Sequence, residues 1–360
     1  MKRVCCLFAV VCLLTLSVQD VGAAPKPLSR DPYLSALVLD ADTGKVLFED
    51  RADTTVYPAS VLKLMGLYVV LDRVEKGLLR LDEMVPVSRE AARTGGSQVY
   101  LDPREQFSVD EMLYALMVQS ANDAAVALAE HISGSKEGFV MLMNQKAKEL
   151  GMNNTTFHSV HGLPPGKGQS PDVTTARDLA ILCRALVQRP DALRYTSTQV
   201  RGFREDKFIM RNHNKLLTRM PGCDGLKTGY YQAAGFSIAA TAKKNGVRIL
   251  ALVMGSADRK VRDAKAIELL GKGFAVVPPR PEAPAPAEVP AAAGVTTAAP
   301  SDTAPAEGTP PATAEKSWTW GVFFMGLGAG VLCLLAFLAI AALVLRRRAS
   351  RATRIRPRRY

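Results

Sequence analysis

Hydrophobic and polar positions divide residues 25–277 into strands at both ends with helices between them. Residues 35–49, SALVLDADTGKVLFE, form two apolar runs around a Gly-containing turn and predict a hairpin. A second hairpin is predicted over 235–255, GFSIAATAKKNGVRILALVMG, with Asn245-Gly246 at its turn. Between them, Ser108 and Glu111 have the spacing of a capping box and open a helix over VDEMLYALMVQ. Helical periodicity continues in DAAVALAEHI (123–132), EGFVMLMNQKAKELG (137–151, with Gly151 as its C-cap) and TARDLAILCRALV (175–187). RDAKAIELLGKGF (262–274) predicts the closing helix. This order predicts an α+β domain whose first and last strands meet in one antiparallel sheet, with helices packed on it. No internal repeat is present.

The ends of the chain read differently. Lys2 and Arg3 precede an apolar run from Val4 to Leu16, and the small residues of VGAA precede Pro25, the pattern of a cleaved secretory signal over 1–24. Cys5, Cys6 and Cys12 leave with it, and Val11 before Cys12 argues against lipid attachment there. Residues 278–316 are rich in Pro, Ala and Thr with almost no large apolar side chains, so they predict a linker. In polyproline geometry it reaches about 120 Å at most. From Ser317 to Leu345 there is no formal charge, with Trp318 and Trp320 at one end and three arginines, 346–348, at the other. This predicts a transmembrane helix with its arginine end cytoplasmic.

Composition sharpens this outline at two points. The net charge is +12, but the tail 346–360 alone holds eight arginines and no acid, so no basic face for nucleic acid is implied. Cys183 and Cys223 could pair in an oxidising compartment, yet two isolated cysteines make no disulfide framework. Of the four histidines, His158 and His161 form one His-x-x-His without a glutamate at metalloprotease spacing, and no metal site is expected. His161, in HGLP, is expected to shape a loop.

The chemistry starts at PASVLKLM, residues 58–65, where a serine and a lone lysine interrupt an apolar run that continues to Leu71 and Val74. A lysine inside a buried helix is costly unless it has a function. Three residues along a helix turn the chain about 300° and raise it about 4.5 Å, so Ser60 and Lys63 share a face. Pro58 favours a turn that puts Ser60 in the first helical turn. An amine made neutral by burial or by a second cation is a base for the hydroxyl. Two further groups follow in order: Ser120-Ala-Asn122 between two helices, then Lys227-Thr228-Gly229 immediately before an apolar strand. Ser-x-x-Lys, Ser-x-Asn and Lys-Thr-Gly together are the motif set of penicillin-interacting serine enzymes.

With these motifs the chain resembles the serine-type D-alanyl-D-alanine carboxypeptidases, low-molecular-mass penicillin-binding proteins of the β-lactamase-like superfamily. DADTGKVL, YALMVQSANDAAVALAEHI, KAKELGMNNTTF, HGLP, TARDLA and PGCDGLKTGY carry the likeness, over about Ala36 to Phe274. The resemblance implies a three-layer α/β/α, transpeptidase-like fold with a helical subdomain. It implies removal of the terminal D-alanine from peptidoglycan stem pentapeptides, with no cofactor and with β-lactams as covalent inhibitors. Ser60 would attack the carbonyl between the two D-alanines and Lys63 would take its proton. The N–H groups of Ser60 and Tyr230 would hold the oxyanion, and Ser120 would relay a proton to the leaving amine. Asn122 would bind the peptide and orient Lys63. Lys227 and Thr228 would bind the terminal carboxylate, and the strand after Gly229 would pair with the substrate backbone. With the predicted signal and span, the catalytic domain is expected on the outer side of a bacterial cytoplasmic membrane, tethered by one pass.

The chain departs from relatives at several points. The predicted proline-rich linker stands where relatives often carry a β-rich second domain, and the predicted apolar span where many have an amphipathic anchor. Tyr230-Tyr231-Gln232 differs from the common continuation after Lys-Thr-Gly, while Ala121 is small and expected to be neutral. A β-lactamase would use the same Ser60 and Lys63, and a glutaminase is a more distant enzyme reading. For a β-lactamase, Glu149 in ELGMN would have to serve as a hydrolytic base, whereas its position predicts a solvated helix end. A penicillin-binding wall scaffold with little turnover would keep every one of these residues.

Overall fold

The computed structural model describes residues 32–281. The predicted signal segment, the linker beyond residue 281, the apolar segment 317–345 and the basic tail lie outside the described residues. Among the described residues no helix is long and apolar enough to cross a membrane.

Strands β1 (Ser35–Asp40) and β2 (Val46–Asp50) form the first hairpin. Strands β3 (Met84–Pro86) and β4 (Gln106–Ser108) pair as a short ribbon, as do β5 (Val200–Phe203) and β6 (Phe208–Arg211). The last three strands are β7 (Cys223–Tyr231), β8 (Gly235–Lys244) and β9 (Val247–Ser256). The main sheet runs β2-β1-β9-β8-β7 and its pairs are antiparallel. Ser35 faces Met254 and Asp40 faces Ile249, so the first and last strands meet at its centre, as the pattern of hairpins predicts.

Both faces of this sheet are covered, which is why β1 is buried along its whole length. One face, through Ala36, Val38, Ile249, Ala251 and Val253, packs on the helix α9 (Arg259–Val276) by Ala266, Leu269 and Leu270. The other, through Leu37, Leu39, Leu250 and Leu252, joins the larger core of the helical subdomain. Alternation along β1 therefore sends successive residues to two different cores.

At the centre of that larger core lies α1 (Lys63–Glu75), apolar on nearly all sides and buried accordingly. A 3-10 turn, Ala59–Leu62, leads into it. The short α2 (Arg89–Arg93) is followed by α3 (Val109–Tyr114), whose Ser108–Glu111 capping box is formed in both directions. The helix predicted over 109–119 does not stay α: residues Ala115–Gln119 widen into a π turn. Then come α4 (Asn122–Ser133) and α5 (Lys136–Leu150), the latter ended by Gly151 in the left-handed conformation expected of a C-cap. The helices α6 (Ala176–Val187) and α7 (Pro190–Ser197) complete this layer, whereas Leu216 of the short α8 (Leu216–Arg219) joins the core on the α9 side of the sheet.

Two sequence expectations need correction. Lys227-Thr228-Gly229 does not precede a strand but lies inside β7. The following strand, β8, cannot take a substrate backbone, because β7 and β9 occupy both its edges. The outer strand is β7 itself. Cys183 and Cys223 are free thiols, Cys183 buried within α6.

Candidate active site

Three segments far apart in sequence converge on Ser60. The first is the 3-10 turn itself, where Ala59 has φ 46°, a left-handed value that an L side chain adopts only at a cost of about 1 kcal/mol or more. The second is the HGLP loop: a Cβ on Gly162 would stand 2.2 Å from the Ala59 carbonyl oxygen, so only glycine allows this approach. The third is β7, where a Cβ on Gly229 would lie 2.7 Å from the Pro58 carbonyl oxygen and 3.0 Å from the Ser60 nitrogen. Glycine at 229 thus lets the edge strand lie against the turn that carries the serine.

The second motif is held by the π turn, which ends with Ser120 at φ 58°, again left-handed. This geometry turns the chain sharply, so that Asn122 can open α4. Widened turns of this kind recur at functional sites. Asp123, buried beside it, accepts from the Val99 N–H (3.2 Å), the Leu101 N–H (3.1 Å) and the Ala124 N–H (2.9 Å). The loop 95–101 is thereby fastened to the start of α4.

Lys63 stands at the meeting point and is fully buried. Its Nζ lies 2.9 Å from Ser60 Oγ, 3.4 Å from Ser120 Oγ, 2.7 Å from Asn122 Oδ1 and 2.9 Å from the His161 carbonyl oxygen. The Asn122 amide orientation follows from its other end, since only Nδ2 can donate to the Gly95 carbonyl at 2.7 Å. Oδ1 is then an obligate acceptor for Lys63, and so is the His161 carbonyl. A neutral amine has two N–H bonds and one lone pair. With both N–H bonds committed to these two acceptors, the lone pair is left for the hydroxyls of Ser60 and Ser120.

Electrostatics favours the neutral form. Burial is the largest cause pushing the Lys63 amine well below its ordinary 10.5; the Lys227 ammonium adds to it and the Asp123 carboxylate opposes it. Lys227 is itself brought down to about 7, first by burial and then by the neighbouring Arg262 guanidinium. Arg262 is buried and balanced by Asp263 at 2.5 Å, an ion pair at the sheet side of the site.

Ser60, Ser120, Asn122, Thr228, Gly229 and Tyr230 line one cleft of about 490 Å³. Lys63 and Lys227 lie buried behind its wall. All eight residues singled out in the sequence are thus brought to one place. The cleft also takes in residues that sequence reasoning missed: Gly96 and Ser97 from the loop, and His213, Lys215, Arg259 and Arg262. Main-chain participants such as the His161 carbonyl leave no trace in a side-chain pattern. The apolar pattern marks Arg262 only as part of a helix, but its position one helical turn after Arg259 near the start of α9 is a usable sign. No carboxylate is among the residues that line the cleft. Glu149, the residue a β-lactamase reading needs, sits at the exposed end of α5 and binds Lys146 at 2.7 Å.

Comparison with known proteins agrees with this geometry. Residues 32–258 match the family model described as D-alanyl-D-alanine carboxypeptidase, peptidase S11. D-alanyl-D-alanine carboxypeptidase DacF of Bacillus subtilis is 38% identical over 244 residues, covering 67% of this chain and 62% of that one. DacC of Escherichia coli is 37% identical over 260 residues, with 69% and 63% covered. The matched region thus spans under two thirds of either relative's length. Among solved structures, penicillin-binding protein 6B of Escherichia coli superposes with a TM-score of 0.64 at 32% identity, covering 71% of this chain and 81% of that one. Penicillin-binding protein D2 of Listeria monocytogenes, in its ampicillin-bound form, gives 0.62 at 30%, covering 69% and 100%. The chain is therefore a member of the D-alanyl-D-alanine carboxypeptidase family, peptidase S11, through its residues 32–258.

Proposed function

We propose that this protein is a serine acyl-enzyme hydrolase that removes the terminal D-alanine from peptidoglycan stem pentapeptides. The observation that carries the proposal is the hydrogen-bond pattern of Lys63, which aims a lone pair at Ser60 Oγ. Ser60 Oγ bonds to the carbonyl carbon between the two D-alanines as its proton passes to Lys63. The carbonyl oxygen becomes an oxyanion, held by the N–H groups of Ser60 and Tyr230. The C–N bond then breaks and the leaving D-alanine amine takes a proton through Ser120, which lies between Lys63 and the cleft. Water cleaves the ester and restores Ser60. Thr228 offers its hydroxyl to the substrate's terminal carboxylate, with Lys227 and Arg262 supplying positive field from behind and beside it. A peptide backbone adds to the edge strand β7. The same attack on the strained amide of a β-lactam gives a covalent adduct.

The experiment is release of free D-alanine from a pentapeptide by the full chain. The wild type is expected to release it and Ser60→Ala to release none. Penicillin binding without D-alanine release supports the scaffold reading instead.

The location follows from the ends of the sequence: we place the catalytic domain on the outer face of a bacterial cytoplasmic membrane, anchored by 317–345. Removing residues 317–360 is expected to give a soluble, active, exported protein. Persistence of that truncated form on membranes contradicts the anchor.

A further inference from the structure

The hairpin of β5 and β6 carries an unusual turn. Arg204, Glu205 and Asp206 have φ of 54°, 53° and 64°, three consecutive non-glycine residues in a conformation that L side chains rarely adopt. Such a turn persists where surrounding contacts fix it. Those contacts belong to Arg204. Its Nε donates to Glu105 Oε1 at 2.7 Å and its Nη2 to Glu105 Oε2 at 2.7 Å. Its Nη1 reaches the Val99 carbonyl and its Nη2 the Tyr100 carbonyl, both at 2.6 Å. The guanidinium lies against two stacked rings, 5.3 Å from the Phe107 centroid and 5.0 Å from that of Phe203. The guanidinium is therefore held in its plane by the carboxylate and the two carbonyls and flanked by the two rings.

What it grips is the loop that orients the catalytic amide. The backbone of Val99 is held on both sides of its Cα: its carbonyl by Arg204, its N–H by the buried Asp123 at 3.2 Å. Two residues earlier, the Ser97 carbonyl accepts the Asn122 N–H at 2.7 Å, and the Ser97 hydroxyl donates to the Gln119 carbonyl at 2.6 Å. The Gly95 carbonyl accepts from Asn122 Nδ2, and Gly96 lies so close that a Cβ there would stand 2.6 Å from that nitrogen. Asn122 Oδ1 then holds Lys63.

We infer that Arg204 is a positioning residue: by clamping the loop 95–105 from the outside, it fixes Asn122 and through it the amine that activates Ser60. The β5–β6 hairpin thereby braces the Ser-x-Asn motif, although it contributes no group to the reaction. The inference rests on the proposed acyl-transfer chemistry.

Its test is the second-order rate of acylation of the full chain by a fluorescent penicillin, across pH, with thermal stability measured in parallel. Arg204→Ala is expected to slow acylation about 10- to 100-fold, the scale of a small misplacement of reacting groups. Arg204→Lys keeps the charge opposite Glu105 but cannot fork to two carbonyls and a carboxylate, so it is expected to recover stability and not rate. In both variants the rising limb of the pH profile moves to higher pH, because a loosened loop wets Lys63, whose other charged neighbours are Lys227 and Asp123. Arg177→Ala, which breaks a surface ion pair with Glu49 and Asp53 away from the cleft, serves as the stability control and keeps the wild-type rate. The inference is overturned if either Arg204 variant acylates within twofold of wild type, or if the loss merely tracks the fall in melting temperature with an unmoved pH profile. Acylation of the wild type by the same probe shows that the underlying chemistry stands in either case.

Discussion

Asn122 and Lys63 are joined by a hydrogen bond whose direction is fixed from both sides: Oδ1 faces the lysine at 2.7 Å because Nδ2 faces the Gly95 carbonyl at 2.7 Å. This relationship makes Asn122 a neutral acceptor beside a lysine that has to stay neutral. Asn122→Asp puts a carboxylate in its place, favours the lysine ammonium and removes the donor to Gly95. The variant is expected to fold and to acylate with penicillin at least about 100-fold more slowly at pH 7, a loss of about 2.7 kcal/mol in transition-state stabilisation. Acylation should recover partly as pH rises. Unchanged acylation at pH 7 means that Asn122 does not control the lysine.

The two buried lysines predict a bell-shaped pH profile for kcat/KM. Lys63 acts as a base only above its own depressed pKa, so activity rises with pH as it loses its proton. Lys227 contributes positive field only below its pKa, about 7 in the free enzyme, so activity falls as pH rises through that value. Lys227→Arg keeps the charge at any working pH. Its alkaline limb is expected to move upward by more than one pH unit, whatever its effect on the maximum rate. A limb that stays in place assigns the titration to another group.

Gly162 is predicted to be irreplaceable on steric grounds. In Gly162→Ala the added Cβ meets the Ala59 carbonyl at 2.2 Å, and its φ of +75° is itself unfavourable for alanine. The chain must shift the serine turn or the loop that offers the His161 carbonyl. A destabilisation of roughly 2–4 kcal/mol is expected in urea unfolding, with acylation lost at least about 10-fold. Wild-type values for both remove this contact from the account.

At the other side of the sheet, Asp40 is 2% exposed and forms a close ion pair with Arg280. Burial raises its pKa, but the guanidinium, with the Thr43 side chain and the backbone N–H groups of Asp42 and Thr43, wins and brings it from 3.8 to about 2. A carboxyl depressed in the folded state stabilises fully above its unfolded pKa, and that contribution is lost as pH falls through the folded one. Arg280→Gln is therefore expected to cost about 1–2 kcal/mol at pH 7, and the difference from wild type should shrink steadily between about pH 4 and pH 2. A difference independent of pH over that window points to packing instead.

The sequence made the hairpins and main helices legible because their signals are local: Asn245-Gly246 at a turn, Ser108 with Glu111 at a helix start, Gly151 at a helix end. Seven of the eight site residues were legible because three short motifs carry them, and the eighth, Tyr230, directly follows the third motif. Other parts were hidden for identifiable reasons. In β7, Lys227, Thr228 and Gly229 are polar or small, so the strand has no apolar run, and its place in the sheet comes from pairing with β8. The β5–β6 hairpin turns on Arg204, Glu205 and Asp206, of which only Asp206 is a common turn residue, and Arg204 is held by a residue about a hundred positions away. His161 acts through its carbonyl, which any residue could supply.

The central claim is that Ser60 is the nucleophile made reactive by Lys63. The most direct test is mass spectrometry of the protein after penicillin, with the modified peptide located. The account predicts one adduct, on the peptide containing Ser60, absent in Ser60→Ala and strongly slowed in Lys63→Ala. An adduct on a different residue, or none, contradicts it.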